Sequence, residues 1–370
     1  MKSARPKLRQ ILRANSVALL VGLAFKAQAA TFVWDGGGNN NNFTTASNWV
    51  GNSASPFNYA PANTADALVF SGTSRLAPVN DTASGATNGQ TAFTLTFAAD
   101  AAAYVLGGNK MTLGSTTGNG GSGGSISNLS AQTQTVSCEV APRSGIILAQ
   151  GGDLVFDGRF NFGNGTVTRT NTFDGAFDTI LNGQASNKGT VVKRGVGTLW
   201  LLNPSNDFTG PLTIAEGVVS LGAVGTISNC PSVYVTGSGR LEVAGVIGGF
   251  KLKANQMLAG DGVVTGSVEI GAGATLAPGP AATIGPLTIN GSLRLRGITA
   301  VRWRKTGGVL TNDLVRGISN LTCVGGLVLT NLARPLSPRA IPSSCSPSAR
   351  PAVSLRASRP RRPGRGWSGT

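Results

Sequence analysis

The sequence has 370 residues, of which 53 are glycine, 18 are proline and none is histidine. Without histidine there is no Ser-His-Asp triad, no Cys-His dyad and no His-ligated metal. Only 12% of residues are charged, too few to surface a helical bundle, while 41% are apolar, enough to bury a sizeable core, so a bundle and wholesale disorder are both excluded.

A net charge of +16 suggests a nucleic-acid partner, but the charge sits at the two ends. Residues 1–30 carry six basic residues (Lys2, Arg5, Lys7, Arg9, Arg13, Lys26) and residues 333–370 carry eight arginines, with no acid in either segment. The 302 residues between them hold 17 basic residues against all 15 acids, so the body is nearly neutral and no nucleic-acid partner is expected. The first end reads as a secretory signal peptide over 1–29: a basic n-region, the apolar run VALLVGLAF at 17–25, and Ala27-Gln28-Ala29 as the cleavage pattern. Cleavage after Ala29 or Ala30 fits equally well, and the apolar run is too short to span a bilayer.

After the signal peptide, Trp34, Phe43, Trp49, Phe57 and Tyr59 gather within a short stretch. Such a group is either an aromatic platform for sugar or a cap over the open end of a repeat protein, and the cap is the expectation. Asn39 to Asn42 reads as a loop tip, and the Gly/Ser/Thr-rich stretch 114–127 as a flexible loop. Further on, Gly, Asn, Asp, Ser and Thr recur every few residues as turn punctuation. Between them lie short alternating runs at 154–156, 178–181, 190–192, 198–202, 212–214, 218–221, 232–235, 240–243, 267–270, 287–289 and 292–295. Their period of two and β-branched content predict strands, and nothing shows helical periodicity. Gly210-Pro211-Leu212-Thr213-Ile214 recurs as Gly285-Pro286-Leu287-Thr288-Ile289, 75 residues later, which divides into three coils of about 25. Strands this short and turns this frequent predict an all-β, right-handed parallel β-helix, or β-solenoid, with an N-terminal capping region. The expected organisation is a cap and irregular coils over 31–149 and regular coils over 150–332.

The segment 189–222, GTVVKRGVGTLWLLNPSNDFTGPLTIAEGVVSLG, closely resembles the autotransporter-associated β-strand repeat, also called the passenger-associated transport repeat. Lys193, Gly195, Gly197-Thr198-Leu199, Asn206, Phe208-Thr209-Gly210, Thr213-Ile214, Glu216-Gly217 and Leu221 occupy the places of that pattern; Pro211 departs from it. Trp34-Asp35-Gly36-Gly37-Gly38 with Asn48-Trp49 resembles the family's usual opening of the mature chain. Residues 273–293 with Asn312-Asp313-Leu314-Val315 resemble its closing coils. The resemblance implies a β-solenoid stalk outside the cell and no catalytic activity.

Asp153/Asp157 and Asp174/Asp178 each lie four apart, and β-helix enzymes that act on polysaccharides use clustered carboxylates. Spacing of four does not bring two carboxylates onto one face of a strand-turn segment, and Asp before Gly at Asp157, Asp174 and Asp261 is turn chemistry. These residues are therefore expected in turns, with no catalytic, cofactor-binding or metal-binding residues. Cys138, Cys230, Cys323 and Cys345 show no paired spacing and read as small hydrophobes, with a Cys138–Cys230 bridge left open.

From 333 onward the composition changes to seven prolines, eight serines and eight arginines, with Trp367 the only aromatic. Residues 339–346 can be written in codons that, in a shifted frame, read Ala-Gly-Asp-Ser-Phe-Lys-Leu-Phe, an ordinary strand lead-in. The tail is expected to be frameshifted, disordered and without a stable membrane anchor. The chain is expected to be exported, to sit at the cell surface or be secreted, and to meet polysaccharide or protein ligands. The alternative expectation is a carbohydrate-active β-helix enzyme.

Overall fold

The computed structural model describes residues 31–52, 67–82, 94–114, 123–163 and 169–332. Among them the protein is all-β, with only two three-residue 3-10 turns, Ala46–Asn48 and Val50–Asn52, and no helix long and apolar enough to cross a membrane. The expected signal peptide, Phe57, Tyr59, Cys345 and the tail from 333 lie outside the described residues.

Three sheets hold the strands, of 14, 13 and 4 members, and all but one of the strand pairs are parallel. In the first sheet Thr31–Trp34, Ala67–Phe70, Thr94–Phe97, Ser125–Asn128 and Ile146–Ala149 lie side by side in chain order, and the series runs on through Gly189–Lys193 and Leu212–Ile214 to Ile298–Thr306. The second sheet takes the strand that follows most of these, from Val79–Asn80 through Leu154–Phe156, Thr198–Leu201 and Val263–Thr265 to Pro286–Leu295, and also holds Phe250–Leu252 and Val268–Ile270. The third holds Met111–Leu113, Val140–Pro142, Phe160–Asn161 and Ala185–Ser186. From Met111 to Ser186 successive circuits visit the three sheets in the same order, and from Gly189 onward the described strands belong to the first two sheets. Parallel pairing begins at Thr31, where Phe32 is in register with Leu68.

Parallel strands lie about 4.8 Å apart, so residues in register stack their side chains directly. In the first sheet Leu68, Leu95, Ile126, Ile147, Phe173, Lys193, Ile214 and Val235 form one such column, every member buried. In the second sheet Leu154, Thr179, Leu199, Val219, Leu241, Val264 and Ile289 form another. Burial alternates along most of these strands, as in Ser232–Val235 and Thr198–Leu201. Burying each such Leu or Ile contributes about 1.5–3 kcal/mol.

Corners between sheets expose backbone groups that no ladder satisfies, and buried amides serve them. Asn128 Nδ2 donates to the carbonyls of Gln132 and Asp153, both at 2.9 Å, while its Oδ1 accepts from Ser130 N at 3.0 Å. Gln134 accepts from Tyr104 N and donates to Ala102 O, each at 2.9 Å. Close stacking also dictates glycine where backbones meet: a Cβ on Gly210 would run into the Gly189 carbonyl.

Two expectations are corrected. The 75-residue repeat does not mark equivalent positions, because Leu212 pairs with Val233 in the first sheet whereas Leu287–Ile289 belong to the second, Ile289 pairing with Val264. The shared Gly-Pro marks the turn into a strand, which either sheet needs. Residues 125–127 belong to a strand, not a loop, since Ile126 is fully buried between Leu95 and Ile147.

Gly210→Ala is expected to lower stability by about 1–3 kcal/mol through overpacking. Gly308→Ala, where a Cβ meets open space, is expected to stay within about 0.5 kcal/mol. Thermal or denaturant unfolding of the two variants checks the difference.

Candidate functional site

The acids singled out by spacing sit at corners, and the structure regroups them. Asp153 precedes the strand Leu154–Phe156 and Asp157 follows it, so the two lie at opposite corners. Asp153 Oδ1 instead accepts the backbone N–H of Asp178 on the next circuit at 3.0 Å. Asp178 in turn accepts from Thr198 N at 2.7 Å and from Trp200 Nε1 at 2.9 Å, one circuit further. Asp157 Oδ1 accepts from Asn182 Nδ2 at 2.8 Å, Asp174 Oδ1 from Gly175 N at 2.7 Å, and Asp261 Oδ1 from Gly237 N at 3.0 Å. Asp153, Asp157, Asp178 and Asp261 thus each hold a neighbouring circuit, while Asp174 holds its own turn.

Lys193 lies among these acids and is the most unusual charge of the group. It occupies an inward position of an apolar column, between Phe173 and Ile214, and is 3% exposed. Its ammonium reaches back to the corner, donating to the carbonyls of Arg194 and of Gly195, the latter at 2.7 Å. Burial pushes its pKa down to about 8, against the opposing pull of Asp174, Glu216 and Asp178. A lysine so tuned has the basicity for proton transfer near neutrality. Here its protons are committed to two backbone carbonyls, and it acts as a staple across the turn between Gly189–Lys193 and Thr198–Leu201.

The aromatic group at the start of the chain is buried. Trp34, Phe43, Trp49 and Phe70 are all fully covered, with Trp34 and Trp49 packed edge to face at 5.1 Å and Phe43 at 5.6 Å from Trp49. The Trp49 indole N–H donates to Phe43 O at 2.8 Å. These rings extend the core columns through Phe70 to Phe97 and Tyr104 and offer no open face to a sugar. Cys138 and Cys230 are separate buried thiols, each pushed up to about 12 by burial, and Cys323 is an exposed free thiol.

One buried ion pair was not singled out from the sequence. Asp313, fully buried, takes both Arg302 Nε at 2.7 Å and Nη2 at 3.0 Å, together with the backbone N–H groups of Arg302 at 2.9 Å and Gly285 at 3.0 Å. Arg302 also donates to Ala281 O and Thr283 O at 2.9 and 2.8 Å. The pair fastens the loop before Pro286–Leu295 to the last circuits.

Among the surface cavities lined by described residues, three stand out. One of about 300 Å³ lies over Lys251, Glu269 and Arg294, one of about 430 Å³ beside Arg304 and Arg316, and one of about 160 Å³ between Ile227 and Gln256. Only the first contains an acid, Glu269, whose carboxylate is bonded to Lys251 at 2.9 Å. Among the described residues no three Cys, Asp or Glu side chains converge as a metal cradle.

No protein-family description, curated protein or solved structure matches this chain.

Lys193 gives a signed pH dependence. Its folded pKa lies below its unfolded value of 10.5, so the unfolded state holds more protons and stability rises with pH from about 8 towards 10.5. The thiols of Cys138 and Cys230, raised from 9.0 to about 12, act in the opposite sense above pH 9. Comparing unfolding of the wild type with that of Lys193→Met isolates the lysine. The wild type is expected to gain stability relative to the variant across that window, and parallel profiles would contradict the assignment.

Proposed function

We propose that the body of this chain is a right-handed parallel β-helix, a β-solenoid, that acts outside the cell as a non-enzymatic stalk, adhesin or matrix component. The observation that carries this reading is the fate of the acids. Asp153, Asp157, Asp178 and Asp261 accept hydrogen bonds from neighbouring circuits, and no carboxylate pair lines any of the three cavities. Handedness follows from the crossover rule for parallel strands. The aromatic cluster at Trp34, Phe43 and Trp49 serves as the cap at the start of the solenoid.

The resemblance of 189–222 to the autotransporter-associated β-strand repeat supports a surface or secreted location, as does the signal-peptide pattern before Ala29 and Ala30. The repeated outer faces suit extended polysaccharide or protein ligands. The near-neutral body gives nucleic acid no electrostatic footing. No cofactor or metal enters the reading.

The test is incubation of the purified chain with a panel of neutral and acidic polysaccharides, with release of new reducing ends as the readout. No release above buffer is expected. Release that disappears in Asp153→Asn or Asp174→Asn would sink the reading in favour of a carboxylate-based carbohydrate-active enzyme.

A further inference from the structure

The two ends of the strand stack differ. At the first end, Trp34 is bridged antiparallel by Trp49, and the rings of Trp34, Phe43 and Trp49 leave the core fully covered. At the other end the core columns run into solvent. Leu327 stands in register with Thr299 and continues the inward column of Leu258 and Leu276, yet it is 47% exposed. Leu321 stands in register with the buried Leu293 and is 51% exposed. These residues occupy core positions over which no described strand adds a further layer.

The edge strands tell the same story. Leu314–Cys323 pairs with Pro286–Leu295 and Gly326–Asn331 pairs with Ile298–Thr306, and no described strand pairs with the outer edge of either. Exposed edges are normally blunted by lysine, proline or bulges. Residues 309–332 contain no proline and no lysine, and Asp313 and Arg316 are their only charges. Asp313 is spent on Arg302, and Gly326–Asn331 is wholly uncharged. The pairing of Leu314–Cys323 is irregular opposite Gly291, whereas Gly326–Asn331 pairs without interruption, so the latter is the edge open to another strand.

We propose that this open end docks against the same end of a second copy of the chain, edge to edge about a two-fold axis. A two-fold axis across an edge strand pairs that strand with itself antiparallel, so one neutral apolar edge meets its own equivalent. At the first end the bridge from Trp49 to Trp34 interrupts the edge of Thr31–Trp34, so head-to-tail pairing is disfavoured and association closes at two copies rather than growing into a filament. The other occupant on hand, the segment 333–370, has eight arginines, seven prolines and no acid. Proline cannot donate to a ladder, and the arginines would be brought beside Arg304, Lys305 and Arg316.

Sedimentation velocity of the purified full chain over a concentration series tests the proposal. The expected result is a species of twice the chain mass that dissociates on dilution. The double variant Leu327→Lys, Leu329→Lys should be monomeric at concentrations where the wild type is dimeric, with unchanged far-UV circular dichroism. Should that variant misfold, hydrogen exchange on the wild type decides: amides of Gly326–Asn331 should exchange at least about tenfold more slowly in the concentrated sample than in the dilute one. A monomer at every concentration would overturn the proposal, as would a dimer indifferent to the two lysines or exchange independent of concentration. A chain that dimerises only after trypsin removes 333–370 would assign the edge to the tail instead.

Discussion

Register between successive parallel strands is the constraint on which the rest of the structure depends. A spacing of about 4.8 Å puts each inward side chain in van der Waals contact with its equivalents above and below. A residue is therefore judged by its column, not by its own strand. Leu212 is paid for by Val191 and Val233, just as Val219 is by Leu199 and Leu241. The same closeness forces glycine where backbone meets backbone, as at Gly210 over Gly189, and leaves the corners to be satisfied by amides such as Asn128 and Gln134. It also makes the ends of the stack special, because a column that stops exposes its last member. Trp34, Phe43 and Trp49 are fully buried at one end, and at the other end of the described strands Leu321 and Leu327 are about half exposed.

Charges inside such a stack must be spent locally. The carboxylates do this across circuits, Asp153 to the amide of Asp178 and Asp178 to the amide of Thr198, so that each turn is held by its predecessor. Lys193 is the exception within a column. Its burial is tolerated because its ammonium reaches two carbonyls and the field of three acids, which only partly offset desolvation. Arg302 and Asp313 meet the same demand more completely, with two guanidinium nitrogens and two backbone amides on one buried carboxylate. Functional surface is then left to the outward residues, which is why the proposed role is one of display and adhesion.

Many strands from 154 to 295 were legible because their alternation is clean and turn residues bound them closely, and Leu212–Ile214 and Ser232–Val235 lie where expected; Arg169–Gly175, Met257–Gly260 and Thr275–Pro278 in the same span were not read from the sequence. Strands before 150 were hidden by polar inward residues such as Asn128 and Gln134, which break the apolar alternation while still filling the core. Those after 298 lack a buried face to give them a pattern. Period two in Gly189–Lys193 puts Lys193 on the side of Val191, so its burial could have been read from the sequence. The pairing of Arg302 with Asp313 could not, since it depends on a loop crossing from one circuit to another. Equal motifs at 210–214 and 285–289 misled because they share a turn chemistry rather than a place in the register.

The central claim is an unbroken parallel register, and a spin-label distance tests it most directly. Ile146, Thr172, Val192, Thr213 and Tyr234 follow one another along the outside of the first sheet. Labels at Ile146→Cys and Tyr234→Cys, in a chain whose Cys323 and Cys345 are replaced by serine, are separated by four strand spacings. The account predicts a single narrow distribution centred at about 19 Å between the labelled backbone positions. A broad distribution, or a separation above about 30 Å, would mean that these strands do not stack in the order described.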